Sequence, residues 1–102
     1  MSHLHELAQA FKALSHPNRL QIYVELLQLR EKVVATGTEK ECSCALTDFM
    51  SKLNIGAPTV SHHIKELVNA KLIRVERQGK FMTCYLNNDM RAQMEAFFAQ
   101  QK

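Results

Sequence analysis

Two runs rich in β-branched, aromatic and aliphatic residues, Leu72 to Arg77 and Phe81 to Leu86, flank Gln78-Gly79-Lys80. Their composition predicts strands, and the glycine between them suits a hairpin turn. What precedes the hairpin narrows the fold further. From Ala45 to Leu53 the pattern is that of a short helix presenting Leu46, Phe49, Met50 and Leu53. Asn54-Ile55-Gly56 reads as a turn, and Pro58 starts a further helix to about Ala70, with Val60, Ile64, Leu67 and Val68 on its buried side. A short helix, a Gly-containing turn and a second helix with proline near its start make a helix-turn-helix pattern.

The flanking segments are helical by the same criteria. Leu4, Leu7, Ala8, Phe11 and Leu14 recur at helical spacing over residues 3 to 14. Ser15-His16-Pro17 breaks that helix and restarts a second, which carries Leu20, Val24 and Leu27 inward with Ile22 or Tyr23 and runs to about Arg30. Residues 32 to 43, with Thr36-Gly37-Thr38 and Glu39-Lys40-Glu41, read as a loop. Asn87-Asn88-Asp89 can cap a last helix striped by Met90, Met94, Phe97 and Phe98. The predicted fold is mainly α with a β-hairpin wing: four helices, two strands and a fifth helix. At 102 residues the chain fits one domain over residues 1 to 102, and so thin a core favours dimerisation.

The formal charge of +3 is modest, but its distribution is uneven. Lys52, Lys65, Lys71, Arg74, Arg77 and Lys80 stand against only Glu66 and Glu76 in the same stretch. A positive patch confined to one segment is the footprint of phosphate binding. No apolar run approaches the roughly 20 residues of a membrane span, and the start of the chain reads as an amphipathic helix, so a cytoplasmic protein is expected. Three cysteines do not suggest a disulfide framework. Neither an oxyanion motif, a glycine-rich phosphate loop nor paired carboxylates accompany the cysteines and histidines, so an enzyme is not expected.

Phe11-Lys12-Ala13-Leu14-Ser15-His16-Pro17-Asn18-Arg19-Leu20 and Ala57-Pro58-Thr59-Val60-Ser61-His62-His63-Ile64-Lys65-Glu66-Leu67, continued by Ala70-Lys71-Leu72-Ile73 and the turn Arg77-Gln78-Gly79-Lys80, carry a family likeness. In these stretches the chain resembles the ArsR/SmtB winged helix-turn-helix repressors, over roughly residues 5 to 98. The resemblance implies a homodimer joined through the first and last helices, and repression released by an inducer, often a metal ion.

In a winged helix-turn-helix, the outward face of the helix after the turn enters the major groove of double-stranded DNA. At 100° per residue that face holds Pro58, His62, Lys65, Glu66 and Asn69, with Thr59 and Ser61 on its flanks. His62 is the best-aimed base reader, because imidazole can donate to or accept from a base edge. Thr59 and Ser61 suit a phosphate or a base, and Lys65 a phosphate or guanine. His63 is grouped with them, although it falls toward the flank of the buried face. Arg77 and Lys80 bracket the wing tip, within reach of the minor groove or backbone. Two-fold symmetry predicts a pseudo-palindromic operator.

Cys42-Ser43-Cys44 precedes the helix-turn-helix. Family arsenic and cadmium sensors carry a Cys-x-Cys inside the helix, at positions matched here by Ala45 and Thr47, so the cysteines of this chain stand three residues early. Two thiolates plus a third ligand suit Zn(II), Cd(II) or As(III), with His3 and His5 as further candidate ligands. Thiol oxidation at Cys42 and Cys44 is the other chemistry on offer. Cys84 alternates with Met82 and Leu86 in the second wing strand and reads as an inert core thiol. The family's other zinc site needs Asp and His where this chain has Asn88 and Met90. Two alternatives stay open: a winged-helix repressor controlled by another ligand, and a winged-helix protein-interaction module.

Overall fold

The computed structural model describes residues 2–36, 43–45, 52–79 and 81–100. Helix α1 (Ser2–Ala13) turns into α2 (Pro17–Thr36), and a short strand β1 (Ser43–Ala45) follows. Then come α3 (Ala57–Asn69), the hairpin strands β2 (Ile73–Gln78) and β3 (Phe81–Leu86), and α4 (Asn88–Gln100). The mainly helical architecture with a hairpin wing is the one the residue pattern predicts.

The wing is tightly closed. Gln78 pairs with Phe81 at the closed end of the hairpin. Gly79 has φ 61, a left-handed conformation that two-residue hairpin turns require and that a Cβ would strain.

Helix α3 has clear local causes. Gly56 precedes it in an extended conformation, and Pro58 occupies the first turn, where its missing N–H costs nothing. Its far end closes by two backbone bonds, Lys71 N–H to the Val68 carbonyl at 3.0 Å and Leu72 N–H to the Leu67 carbonyl at 3.0 Å. These are the paired bonds of a Schellman stop. Lys71 takes the left-handed position there with φ 64, so the chain reverses within two residues and enters β2.

Asn87 ties three elements together. Its Oδ1 accepts from the backbone N–H groups of Asp89 at 3.1 Å and Met90 at 3.3 Å, which caps α4. Its Nδ2 donates to the Lys71 carbonyl at 2.8 Å, and its own N–H to the Leu72 carbonyl at 3.0 Å. Replacing Asn87 by alanine removes the cap and the Lys71 bond together. A loss of about 1–2 kcal/mol is expected, read as a lowered urea midpoint with unchanged slope; an unchanged midpoint would contradict the capping role.

Several expectations are corrected here. Helix α2 does not stop near Arg30 but continues to Thr36, because no glycine or proline interrupts the chain between Pro17 and Gly37. Ser43 and Ala45 are not loop and helix start but strand, with Ser43 opposite Tyr85, Cys44 opposite Cys84 and Ala45 opposite Thr83. The sheet order β1-β3-β2 gives a partner to the edge of β3, a non-local benefit that overrides local helical pattern. Of the expected helix over Ala45–Leu53, Lys52 and Leu53 are helical and residues 46–51 lie outside the described residues.

The core also shifts. Ile22, Tyr23 and Leu26 are buried residues of α2, whereas Leu20 is 45% exposed. On α3, Val60, Ile64 and Leu67 are buried as expected, but Val68 is 37% exposed; it sits about 80° around the helix from Val60 and leaves the stripe. Leu7, Ala10 and Ala13 of α1, Ala70 and Leu72 after α3, Ile73 of β2, Cys84 and Leu86 of β3, and Met90 and Met94 of α4 are the other buried apolar residues among those described.

Candidate nucleic-acid interface

The core contacts of Val60, Ile64 and Leu67 turn the opposite face of α3 outward. Pro58, Thr59, His62, Lys65 and Asn69 are exposed, and Ser61 and Glu66 are half-buried. Ser61 and Lys65 line a groove together with Val68, Val75, Arg77 and Met82, so the outer flank of α3 and the wing form one continuous trough. Arg77 is exposed on β2. Lys80 lies outside the described residues.

Ion pairing sorts the cations of this stretch. Lys52 meets Glu25 at 2.6 Å, Lys71 meets Glu6 at 3.4 Å, and Arg74 meets Glu76 at 2.6 Å while lying 4.3 Å over the Tyr85 ring. Among the described residues, Lys65 and Arg77 are the cations of this segment that make no ion pair, and they line the same groove. Neither side chain is engaged with a carboxylate of another described residue.

His63 departs from the outward set. It is 4% exposed, its ring lies 4.5 Å from that of His16 and 5.9 Å from that of His62, and its Nδ1 accepts from Arg19 Nε at 3.3 Å. A side chain so placed cannot reach a base edge; it anchors α3 to the start of α2 instead. Periodicity placed it at the edge of the apolar stripe, and only the partner on α2 shows which way it turns. His16 accepts the Asn18 backbone N–H at its own Nδ1, 3.1 Å away.

Burial holds the His63 imidazole below its ordinary pKa, and the neighbouring His16, Arg19 and His62 add to the effect. A histidine that is harder to protonate when folded gives stability that is present at neutral pH. That stability is lost as pH falls below about 6.5, where the unfolded chain takes up the proton first. Urea midpoints are therefore expected to fall between pH 7.5 and 5.5, and His63→Gln to fall less steeply. Parallel pH profiles for the two proteins would remove His63 from this role.

Among the described residues no three His, Cys, Asp or Glu side chains could hold an ion together. Cys42 lies outside the described residues, Cys44 is in the middle of β1, and His3 is in the first turn of α1. His5 is exposed and shares a hydrogen bond with Gln9 at 3.2 Å. A cysteine pair carried within a helix, as the family's sensors have, is not reproduced at Cys44.

No family model matches the sequence. The chain is 32% identical over 84 residues to an arsenical resistance operon repressor of Staphylococcus xylosus, covering 82% of this chain and 68% of that protein. It is 33% identical over 86 residues to the protein of the same name from Bacillus subtilis, covering 84% and 70%. The chain belongs to the ArsR family. Among solved structures, an ArsR family transcriptional regulator superposes with a TM-score of 0.73 at 22% identity, over 95% of this chain and 87% of that one. A homodimeric winged helix-turn-helix DNA-binding domain from Mycobacterium bovis, a possible ArsR-family regulator, superposes at 0.67 with 20% identity, over 94% and 79%. In this ArsR-family chain α3 and the β2–β3 wing are therefore the elements of a winged helix-turn-helix. Among the described residues no helix is long and apolar enough to cross a membrane.

Proposed function

We propose that this ArsR-family regulator is a homodimeric, cytoplasmic repressor that binds a pseudo-palindromic operator through α3 and the wing and is released by an inducer. The observation that carries the reading is the groove in which Ser61, Lys65 and Arg77 lie together, neither cation making an ion pair among the described residues. Lys65 and Arg77 hold phosphates on either side of it, Lys80 extends the contact at the wing tip, and His62 and Thr59 face the base edges.

These roles separate experimentally. Removing a phosphate contact with Lys65→Ala or Arg77→Ala should weaken binding to all sequences alike and reduce the salt slope by about 1 per half-site contact. His62→Ala should leave the slope alone and lose about 1–3 kcal/mol of discrimination at one base pair. Anisotropy titrations at several salt concentrations, on operator and scrambled DNA, read both quantities. Equal slopes for Lys65→Ala, Arg77→Ala and the parent would contradict the groove assignment.

The dimer reading is supported by apolar surface that a single protomer leaves open. Leu4 of α1 is 51% exposed, Leu20 of α2 45% and Phe98 of α4 64%. Phe11, Leu14, Leu20 and Phe98 line one apolar groove between these helices, and the rings of Phe11, Phe97 and Phe98 meet at tilted or edge-on angles with centroids 5.4–5.9 Å apart. The buried Tyr23 hydroxyl on this groove has no hydrogen-bond partner among the described residues. A second copy packed through α1 and α4 would cover the apolar residues.

The inducer reading places the signal at the Cys42/Cys44 segment, and the names of the arsenical resistance relatives favour a thiophilic ion such as As(III), Cd(II) or Zn(II). Since no three donors meet among the described residues, such an ion would need a ligand beyond them. Adding each ion to the reduced, DNA-bound protein tests this; release abolished by Cys42→Ser and Cys44→Ser supports it, and no release by any ion refutes it.

A further inference from the structure

Cys44 and Cys84 are Cα partners in the antiparallel β1–β3 ladder. Directly opposed residues in such a ladder have Cα atoms about 4.5 or 5.5 Å apart. A disulfide requires roughly 4.4–6.8 Å. Backbone register therefore brings two of the three cysteines of the chain to a separation a disulfide can bridge without moving either strand. An ion would need a third donor, which the described residues do not supply; a disulfide needs only the pair.

We propose that Cys44 and Cys84 form a reversible disulfide when the protein meets a hydroperoxide, and that this bond weakens operator binding. The consequence for DNA rests on the function proposed above; the thiol chemistry does not. β1 stands directly before the helix-turn-helix and β3 is the second strand of the wing. A covalent tie between them removes the freedom of the wing to adjust as α3 seats in the groove.

The two thiols differ in role. Cys84 is 0% exposed and so is sheltered from oxidant, and burial pushes its thiol up to about 12. Cys44 reacts first. Its thiol attacks the peroxide, the O–O bond breaks, and the sulfur becomes a sulfenic acid as one water leaves. The Cys84 thiol then gives up its proton as its sulfur attacks the Cys44 sulfur, the S–S bond forms, and the sulfenic hydroxyl departs with that proton as a second water. Two thiols and one hydrogen peroxide thus give one disulfide and two waters, with two electrons passing from sulfur to oxygen.

The test oxidises the full chain with stoichiometric hydrogen peroxide, blocks remaining thiols, and maps linked peptides by mass spectrometry before and after dithiothreitol. The expected result is a Cys44–Cys84 linked peptide, one blocked thiol at Cys42, and operator affinity at least tenfold lower, restored by dithiothreitol. Cys42→Ser should keep the response; Cys44→Ser and Cys84→Ala should both lose it, Cys44→Ser serving where loss of the buried Cys84 sulfur perturbs folding. A Cys42–Cys44 link, a link between chains or no link would overturn the proposal. A Cys44–Cys84 link with unchanged affinity would overturn its regulatory half. Failure of the reduced protein to bind DNA would count against the proposed function, while the peptide map would still decide the disulfide.

Discussion

Replacing Leu67 by alanine is expected to destabilise the protein by about 2–5 kcal/mol. Leu67 is completely buried at the centre of the α3 face that meets the core. Helix α3 packs on α2, on β2 and on α1, so a cavity there loosens the recognition helix from every element that orients it. For a domain whose whole stability is of order 5–15 kcal/mol, that loss is a large fraction. Val68→Ala, one residue along but 37% exposed, is expected to cost under about 1 kcal/mol. Paired urea unfolding curves decide the matter, and equal costs at Leu67 and Val68 would contradict the seating of α3 described above.

Phe98→Glu is expected to convert the proposed dimer to a folded monomer. Phe98 is the most exposed large apolar residue of the described chain, at 64%, and its ring meets those of Phe11 and Phe97 from the open side of the groove. A carboxylate there costs the protomer little, because the position is already wet, but it places two charges across a desolvated two-fold contact. Losing the second half-site should then weaken operator binding by about 10²–10⁴-fold, the gain that linking two modest contacts confers. Sedimentation equilibrium gives the mass and circular dichroism confirms the fold. A dimer that persists in Phe98→Glu would place the interface elsewhere.

The features legible in the sequence are those with local causes. Pro58 and the glycine before it mark the start of α3, Gly79 marks the wing turn, and Asn87 marks the cap of α4. Each acts through its own φ angle or through a hydrogen bond two or three residues away. The features that were not legible depend on distant partners. Nothing within Ser43-Cys44-Ala45 announces a strand; the segment is extended because β3 offers it an edge. Leu20 and Leu26 share the helical character of α2, and only the neighbouring elements decide that Leu26 is buried and Leu20 exposed. His63 sat at the boundary of the apolar stripe, and Arg19, 44 positions earlier in the chain, resolves its direction. The basic character of residues 52 to 80 was plain, yet the partners Glu25, Glu6 and Glu76 that occupy Lys52, Lys71 and Arg74 are visible only in three dimensions.

The central claim is that α3 and the wing bind duplex DNA through the groove holding Lys65 and Arg77. The most direct test is fluorescence anisotropy of the reduced, chelator-treated protein on DNA from upstream of its own gene, titrated at salt concentrations from about 50 to 200 mM. The account predicts tight binding whose logarithm falls linearly with the logarithm of salt, with a slope about 1 shallower per half-site contact in Lys65→Ala and Arg77→Ala. Binding that ignores salt and both substitutions, or no binding to any duplex at low salt, would contradict it.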